Sequence, residues 1–301
     1  MPSCLFLALA ACVGTSPQTS PVPGPTDKGP LDDFTRHWRQ DAAWHDGQVE
    51  TCLYDAKRTV HGEVHHFQTT LITHKQWADP HTKTRSTTPT GREVFKQHLV
   101  EVIRAGQNTQ HLSTMCFLGT TDLKSLKIDV AWQDARGTTF KQFVNHAGTL
   151  TWHSFVHLAG GGHTHGTYEP PPNLAFQDGL SLVLRGYPFD APPPPIELAL
   201  LPDQTSRGTT SPRPRRAVLR HLGAETLIVP AGRIATDHLS VSVGPNADQP
   251  EAEHHYWFAA DGRAPWLHAM IQYRGPGGVR YRLVRLWRRQ GEALHPASGP
   301  G

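Results

Sequence analysis

Potential metal ligands cluster most densely between residues 153 and 169. His163 and His165 lie one residue apart in the run Gly160-Gly161-Gly162-His163-Thr164-His165-Gly166, with His153 and His157 before it and Glu169 after it. Imidazoles separated by one residue on an extended chain point the same way, and neutral imidazole is a ligand for zinc, copper or nickel. Three imidazoles and a carboxylate complete a four-ligand shell. His153, His157, His163, His165 and Glu169 are therefore the candidate metal set. The alternative is a flexible Gly-rich loop with solvated side chains. His65-His66 and His254-His255 are adjacent pairs. Strand neighbours face opposite sides, so neither pair readily shares an ion. There is no His-Glu-x-x-His or Cys-x-x-Cys motif, and no cofactor is implied.

Support for catalysis is thin. No Gly-x-Ser-x-Gly elbow is present. Asp129 with Asp134, and Glu251 with Glu253, could do acid–base work, but they equally suit Arg and Lys partners on a wet sheet face. Arg280, Arg282 and Arg288 fall on one face of a regularly alternating last strand, opposite Val279, Tyr281, Leu283 and Trp287. Such a row could meet anionic head groups, or cover apolar surface with its stems. The net charge of +3 and the lack of a basic block give no reason to invoke nucleic acid.

The four cysteines divide by location. Residues 5–12 read Leu-Phe-Leu-Ala-Leu-Ala-Ala-Cys, an apolar run too short to span a bilayer, ending in Leu9-Ala10-Ala11-Cys12. This is similar to a bacterial lipobox, so Cys12 is the expected lipidation site and Cys4 leaves with the leader. The n-region carries no Lys or Arg. Val13 rather than Asp follows Cys12, which favours the outer membrane facing the periplasm; plain secretion is the alternative. Cys52 and Cys116 remain on expected strands in an oxidising compartment, which makes them the disulfide candidates; the alternative is two separate buried thiols packing as small apolar residues.

The elements that must position these residues read as strands. Gln48–Ala56, Gly62–Thr73, Glu93–Arg104, Thr109–Leu118, Lys124–Gln133 and Thr138–Asn145 alternate or are β-branched, and Leu150–Leu158 is apolar and aromatic. Ile196–Leu201, Ala217–Val229 and Ile234–Val243 follow. The clearest stretch is Glu253–Arg289, with three strand-like runs parted by Asp261-Gly262 and Gly275-Pro276-Gly277-Gly278, and it predicts an antiparallel meander. Leu31–Trp44 and Leu174–Arg185 carry apolar residues at helical spacing. The Pro run at 191–195 is the best boundary within the chain.

Trp44-His45-Asp46-Gly47-Gln48-Val49-Glu50 with Tyr54 and Gly62-Glu63 carries a resemblance, together with Asp178-Gly179-Leu180, Leu184-Arg185-Gly186, Val229-Pro230-Ala231-Gly232 and Tyr256-Trp257-Phe258. The chain resembles exported bacterial lipoproteins of unknown function near the lipoprotein carriers (LolA/LolB-like). The resemblance implies a large curved antiparallel sheet with a helix or two on its concave side, and an apolar groove for lipid. It transfers no functional residue.

The expectation is therefore a mostly β protein: a large curved antiparallel sheet or half-open β-barrel with one or two short helices. Residues 1–12 are a signal peptide with lipobox, 13–30 a Pro/Ser/Thr-rich tether, 31–290 one β-rich domain with sections 31–190 and 196–290, and 291–301 a disordered tail. The expected role is a non-enzymatic envelope lipoprotein, held to the membrane through a lipid anchor. It would bind an apolar or amphipathic ligand, or a protein partner, in the sheet's concavity. A His-centred metal protein and a scaffold with no small ligand are the alternatives.

Overall fold

Alternation of apolar and polar residues writes the sheet. In β5 (Ser125–Asp134) the buried positions are Leu126, Ile128, Val130 and Trp132, with partly exposed residues between them. Strands of this period bury one face and wet the other. The computed structural model describes residues 31, 34, 36–60, 62–79, 81–86, 91–146, 148–205, 212–245 and 251–290. Cys12 and the stretches expected to be a leader, a tether and a tail from 291 lie outside the described residues.

The chain enters the sheet at its middle. From β1 (Gln48–Val60) it runs outward through β2 (Glu63–Ala78), β3 (Arg92–Ala105), β4 (Asn108–Gly119), β5, β6 (Gly137–His146), β7 (Thr149–His157) and β8 (Gly162–Tyr168) at one edge. Residues 169–173 carry it to the opposite edge, β9 (Leu174–Phe176). It returns through β10 (Ile196–Leu201), β11 (Arg215–Val229), β12 (Gly232–Val243), β13 (Ala252–Ala259) and β14 (Met270–Arg274) to β15 (Arg280–Gln290), which pairs with β1. Pairing is antiparallel throughout except β9 with β10. The result is one 15-stranded sheet, not closed into a barrel.

The concave face is filled by two segments. Phe34, Trp38 of α1 (His37–Gln40) and Trp44 pack over Phe95 of β3; the Trp38 ring stacks on Phe95 at 5.2 Å. The second segment is a 3-10 turn Gln177–Gly179, then α2 (Leu180–Val183), then a 3-10 turn Leu184–Gly186. Leu180, Leu182 and Leu184 are fully buried. Gly186 lies so close to Trp38 that a Cβ would stand 2.8 Å from the indole nitrogen, which explains a residue without a side chain there. This segment is hereafter the plug.

Several expectations change. The Gly-rich run around His163 is not a loop; it is edge strand β8, paired with β7. Asp261-Gly262 does not make a tight hairpin, because β14 starts only at Met270 and residues 260–269 form an intervening loop. The chain changes sheet halves at 169–173 rather than at 191–195, and one core draws on both halves. Cys52 and Cys116 are free buried thiols. They sit on β1 and β4, three strand spacings or about 14 Å apart, beyond the roughly 7 Å that a bridge spans. The arginine row is broken by a register shift opposite Leu53/Tyr54. A bulge switches the facing of every later residue. Arg288 therefore lies over the Trp44 ring at 4.9 Å, while Trp287 lies beside Arg285 and Arg289.

Candidate functional site: a pocket between sheet and plug

Two arginine–glutamate pairs mark the concave face. The first anchors the plug. Arg185 Nη1 and Nη2 donate to Glu50 Oε1 and Oε2 at 2.7 and 3.0 Å, and Arg185 also donates to the carbonyls of Leu267 (2.9 Å) and Trp266 (3.2 Å). Its guanidinium lies over Trp38 and Trp44 at 5.5 and 5.2 Å. Both side chains are nearly inaccessible to solvent.

The second pair lies where the plug stops. Arg58 follows Cys52, Tyr54 and Ala56 on the inward face of β1, and Glu101 follows Gln97 and Leu99 on that of β3. Arg58 Nη2 donates to Glu101 Oε2 at 3.0 Å, and the Tyr281 hydroxyl donates to Oε1 at 2.8 Å. Burial raises the Glu101 pKa, and Arg58 and the Tyr281 hydroxyl only partly offset it. Here the cover is incomplete, and a pocket of two joined chambers opens. Arg58, Gln177, Asp203, Tyr273 and Tyr281 line both. The inner chamber, of about 80 Å³, adds Leu71, Leu99, Asp178, Tyr256 and Met270. The outer, of about 340 Å³, adds Leu200, Arg215, Val243, Glu251, His254 and Val279.

Its polar groups are mostly held by the protein. Asp203 accepts from the Thr205 amide at 2.7 Å and the Thr205 hydroxyl at 2.9 Å. Asp178 accepts from the Gln204 amide at 3.3 Å. Loss of water around the Asp178 carboxyl, followed by the nearby Asp203 carboxylate, pushes its pKa well up, against the pull of Lys141. His254 Nδ1 meets the Tyr273 hydroxyl at 2.9 Å, and burial pulls its pKa down to about 4. Gln177 donates to the Tyr256 hydroxyl. Two buried atoms on the shared wall have no partner: Gln177 Oε1 and Arg58 Nε.

The expected metal set is only partly assembled. His153 and His165 are direct cross-strand partners, and His163 faces Phe155. The three imidazoles stack 5.2 to 6.0 Å apart with planes within 24° of parallel. Lone pairs of stacked rings run side by side and do not converge. His157 and Glu169 lie at opposite ends of the β7–β8 hairpin, about 26 Å apart at strand rise. Among the described residues no three His, Cys, Asp or Glu side chains are grouped to hold an ion. Of the other carboxylates, Asp129 binds Lys127 and Gln142, Asp134 binds Arg136, and Glu253 lies 3.4 Å from His255. His254 and His255 do face opposite ways, toward Tyr273 and His238 respectively.

Of the pocket's polar residues the sequence singled out only Glu251, paired with Glu253 for acid–base work, and His254, weighed with His255 for sharing an ion; Arg58, Glu101, Gln177, Asp178 and Asp203 were not named as a site. Their signal was present: a charged residue in the buried register of an otherwise apolar strand. Comparison with known proteins finds no matching family model, no similar curated protein and no similar solved structure.

Proposed function

We propose that this chain is a non-enzymatic binding protein that takes a small amphipathic ligand in the pocket between sheet and plug. The observation that carries this is the pocket itself: concave, walled by Tyr, Leu, Met and Val, with polar side chains such as Arg58, Gln177 and Asp203 set among them. Ligand sites have this make-up, with volumes of about 300–1,000 Å³. The two chambers suit one short chain or a small ring system rather than a two-chain lipid. The Leu9-Ala10-Ala11-Cys12 run supports tethering of the protein to an envelope membrane, as the lipoprotein-carrier resemblance also implies.

Native mass spectrometry of the untagged chain, expressed with export, tests this reading. A copurified small mass, displaced when Leu99→Trp fills the inner chamber, is expected. A bare polypeptide mass, together with no uptake of a small apolar fluorophore, would count against it.

A further inference from the structure

The two ends of the sheet differ. β9 is 3 residues long and runs at once into the plug. β8 is 7 residues long, pairs with β7 along one side, and has no strand on its other side among the described residues. Such an edge presents a row of N–H and C=O groups that template a further strand, and natural edges are commonly blunted by Lys, Pro or a bulge. β8 reads Gly-His-Thr-His-Gly-Thr-Tyr, with no Lys, no Pro and no register shift against β7.

A cavity of about 610 Å³ lies along this edge, between Trp152 and Thr164 to Tyr168 on one side and Pro212-Arg213-Pro214 on the other. Thr164, Gly166 and Tyr168 stand opposite the buried Ser154, Trp152 and Leu150, so they face inward; His165 and Thr167 stand opposite His153 and Thr151 and face outward. Residues of both facings border one space, so that space abuts the backbone edge rather than either face of the sheet. The far wall does not serve as the missing strand, because Pro212 and Pro214 have no N–H to donate. Thr164 to Tyr168 extend about 14 Å at strand rise, the length of a short extended peptide. Charge selects among peptides. Arg213 is exposed, and its guanidinium has no hydrogen bond or ion pair among the described residues. No Asp or Glu among the described residues lines the cavity, and the cavity shares no lining residue with the pocket between sheet and plug.

We propose that the β8 edge binds an extended peptide bearing an acidic side chain, added to the sheet as a further strand with its carboxylate on Arg213. Main-chain hydrogen bonds supply the affinity in strand addition, and side-chain contacts supply the choice of sequence. The guanidinium fork matches a carboxylate.

The test uses capped, fluorophore-labelled peptides on the full chain at pH 7, read by fluorescence anisotropy. Thr-Val-Glu-Val-Thr is expected to bind at least tenfold more tightly than Thr-Val-Lys-Val-Thr. Arg213→Gln, an exposed change, should reduce that preference to less than threefold. Two further versions of the Glu peptide carry N-methyl groups on the amides of one edge or of the other. The version that blocks the edge facing β8 should lose at least tenfold in affinity, while the other keeps it. Equal binding by the two methylated versions would overturn strand addition. A preference for Glu that survives Arg213→Gln would overturn the role of Arg213. The proposal also falls if every peptide binds more weakly than about 1 mM, or if the chain sediments as a dimer that the Glu peptide does not dissociate, since a second copy would then hold the edge.

Discussion

The two arginine–glutamate pairs of the concave face use the same chemistry to opposite ends. Arg185–Glu50 is bidentate, roofed by two indoles and tied to two carbonyls. Arg58–Glu101 has one guanidinium contact and one phenol, and its arginine keeps 18% of its exposure. The first pair has its hydrogen-bonding groups taken by the protein. The second leaves a nitrogen unused and borders open space. Sealing and openness are set by what covers the pair rather than by the pair. The plug, ending at Gln177, decides which is which.

The largest effect should come from breaking the sealed pair. Arg185→Ala leaves Glu50 buried and unpaired, and loss of one partner of a buried pair costs about 3–5 kcal/mol. Arg58→Ala should cost about 1–2 kcal/mol, within the range for a single lost partner. Burial already raises the Glu101 pKa, so the carboxyl can take a proton, and water can enter from the pocket. Urea unfolding of both variants at pH 7 measures the difference. Equal losses would break the comparison.

Acid should reach the open side next. The His254 pKa is lowered from 6.5 to about 4 by burial. A depressed pKa stabilises the fold above the unfolded value and loses that contribution as pH falls through the folded one. The stake is on the order of 3 kcal/mol, lost between pH 6.5 and about 4. Burial also lowers the pKa of His74, His98, His238 and His268, so the informative quantity is the wild-type slope minus that of His254→Phe. Unchanged slopes would mean that His254 is wetter than its burial indicates.

Much of the fold could be read in the sequence, and most of the site could not. Alternation in runs such as Leu126 to Trp132 marks strands because burial on one face imposes period two. The plug's helical spacing was visible in Leu180 and Leu184. The role of the segment around His163 was hidden, since glycine suits both a loop and an edge strand packed against Trp152. The bulge at Leu53/Tyr54 was hidden too; nothing local announces a register shift, yet it turned Arg288 inward. The pocket joins Arg58, Glu101, Gln177, Asp203 and Tyr281, which only the pairing of β1 with β15 and the return of the plug across the sheet bring together. Glu101 among Leu99 and Ile103 was nevertheless a readable signal: a charge in the buried register of a strand requires a partner.

Asp178 sharpens the contrast on the open side. Its folded pKa is raised above the usual carboxylate value. Such an acid contributes stability at low pH and loses it as pH rises through the folded pKa. Asp178→Asn cannot ionise, so it should unfold at a higher temperature than wild type at pH 7, with the gain vanishing at low pH. Thermal melts across that range check it. A variant less stable than wild type at pH 7 would mean that the ionised carboxylate is used, with Lys141 as the group to examine.

The smallest expected effect concerns the two thiols, and it tests the seal directly. Cys52 lies beside the Glu50–Arg185 pair, and Cys116 lies against Gly179 of the plug. Both thiols are buried and free, and burial pushes both pKa values upward, so neither supplies thiolate for alkylation. Adding reductant should leave the melting temperature unchanged, because there is no bridge to open. Iodoacetamide should label neither residue in the native chain and both in urea, followed by mass spectrometry. In Arg185→Ala at urea concentrations below its unfolding transition, labelling of Cys52 should precede any loss of the sheet's circular dichroism if the pair is what holds the plug down. Simultaneous loss would mean that plug and sheet unfold as one unit, and that the sealed side is secured by the leucines of α2 rather than by Arg185.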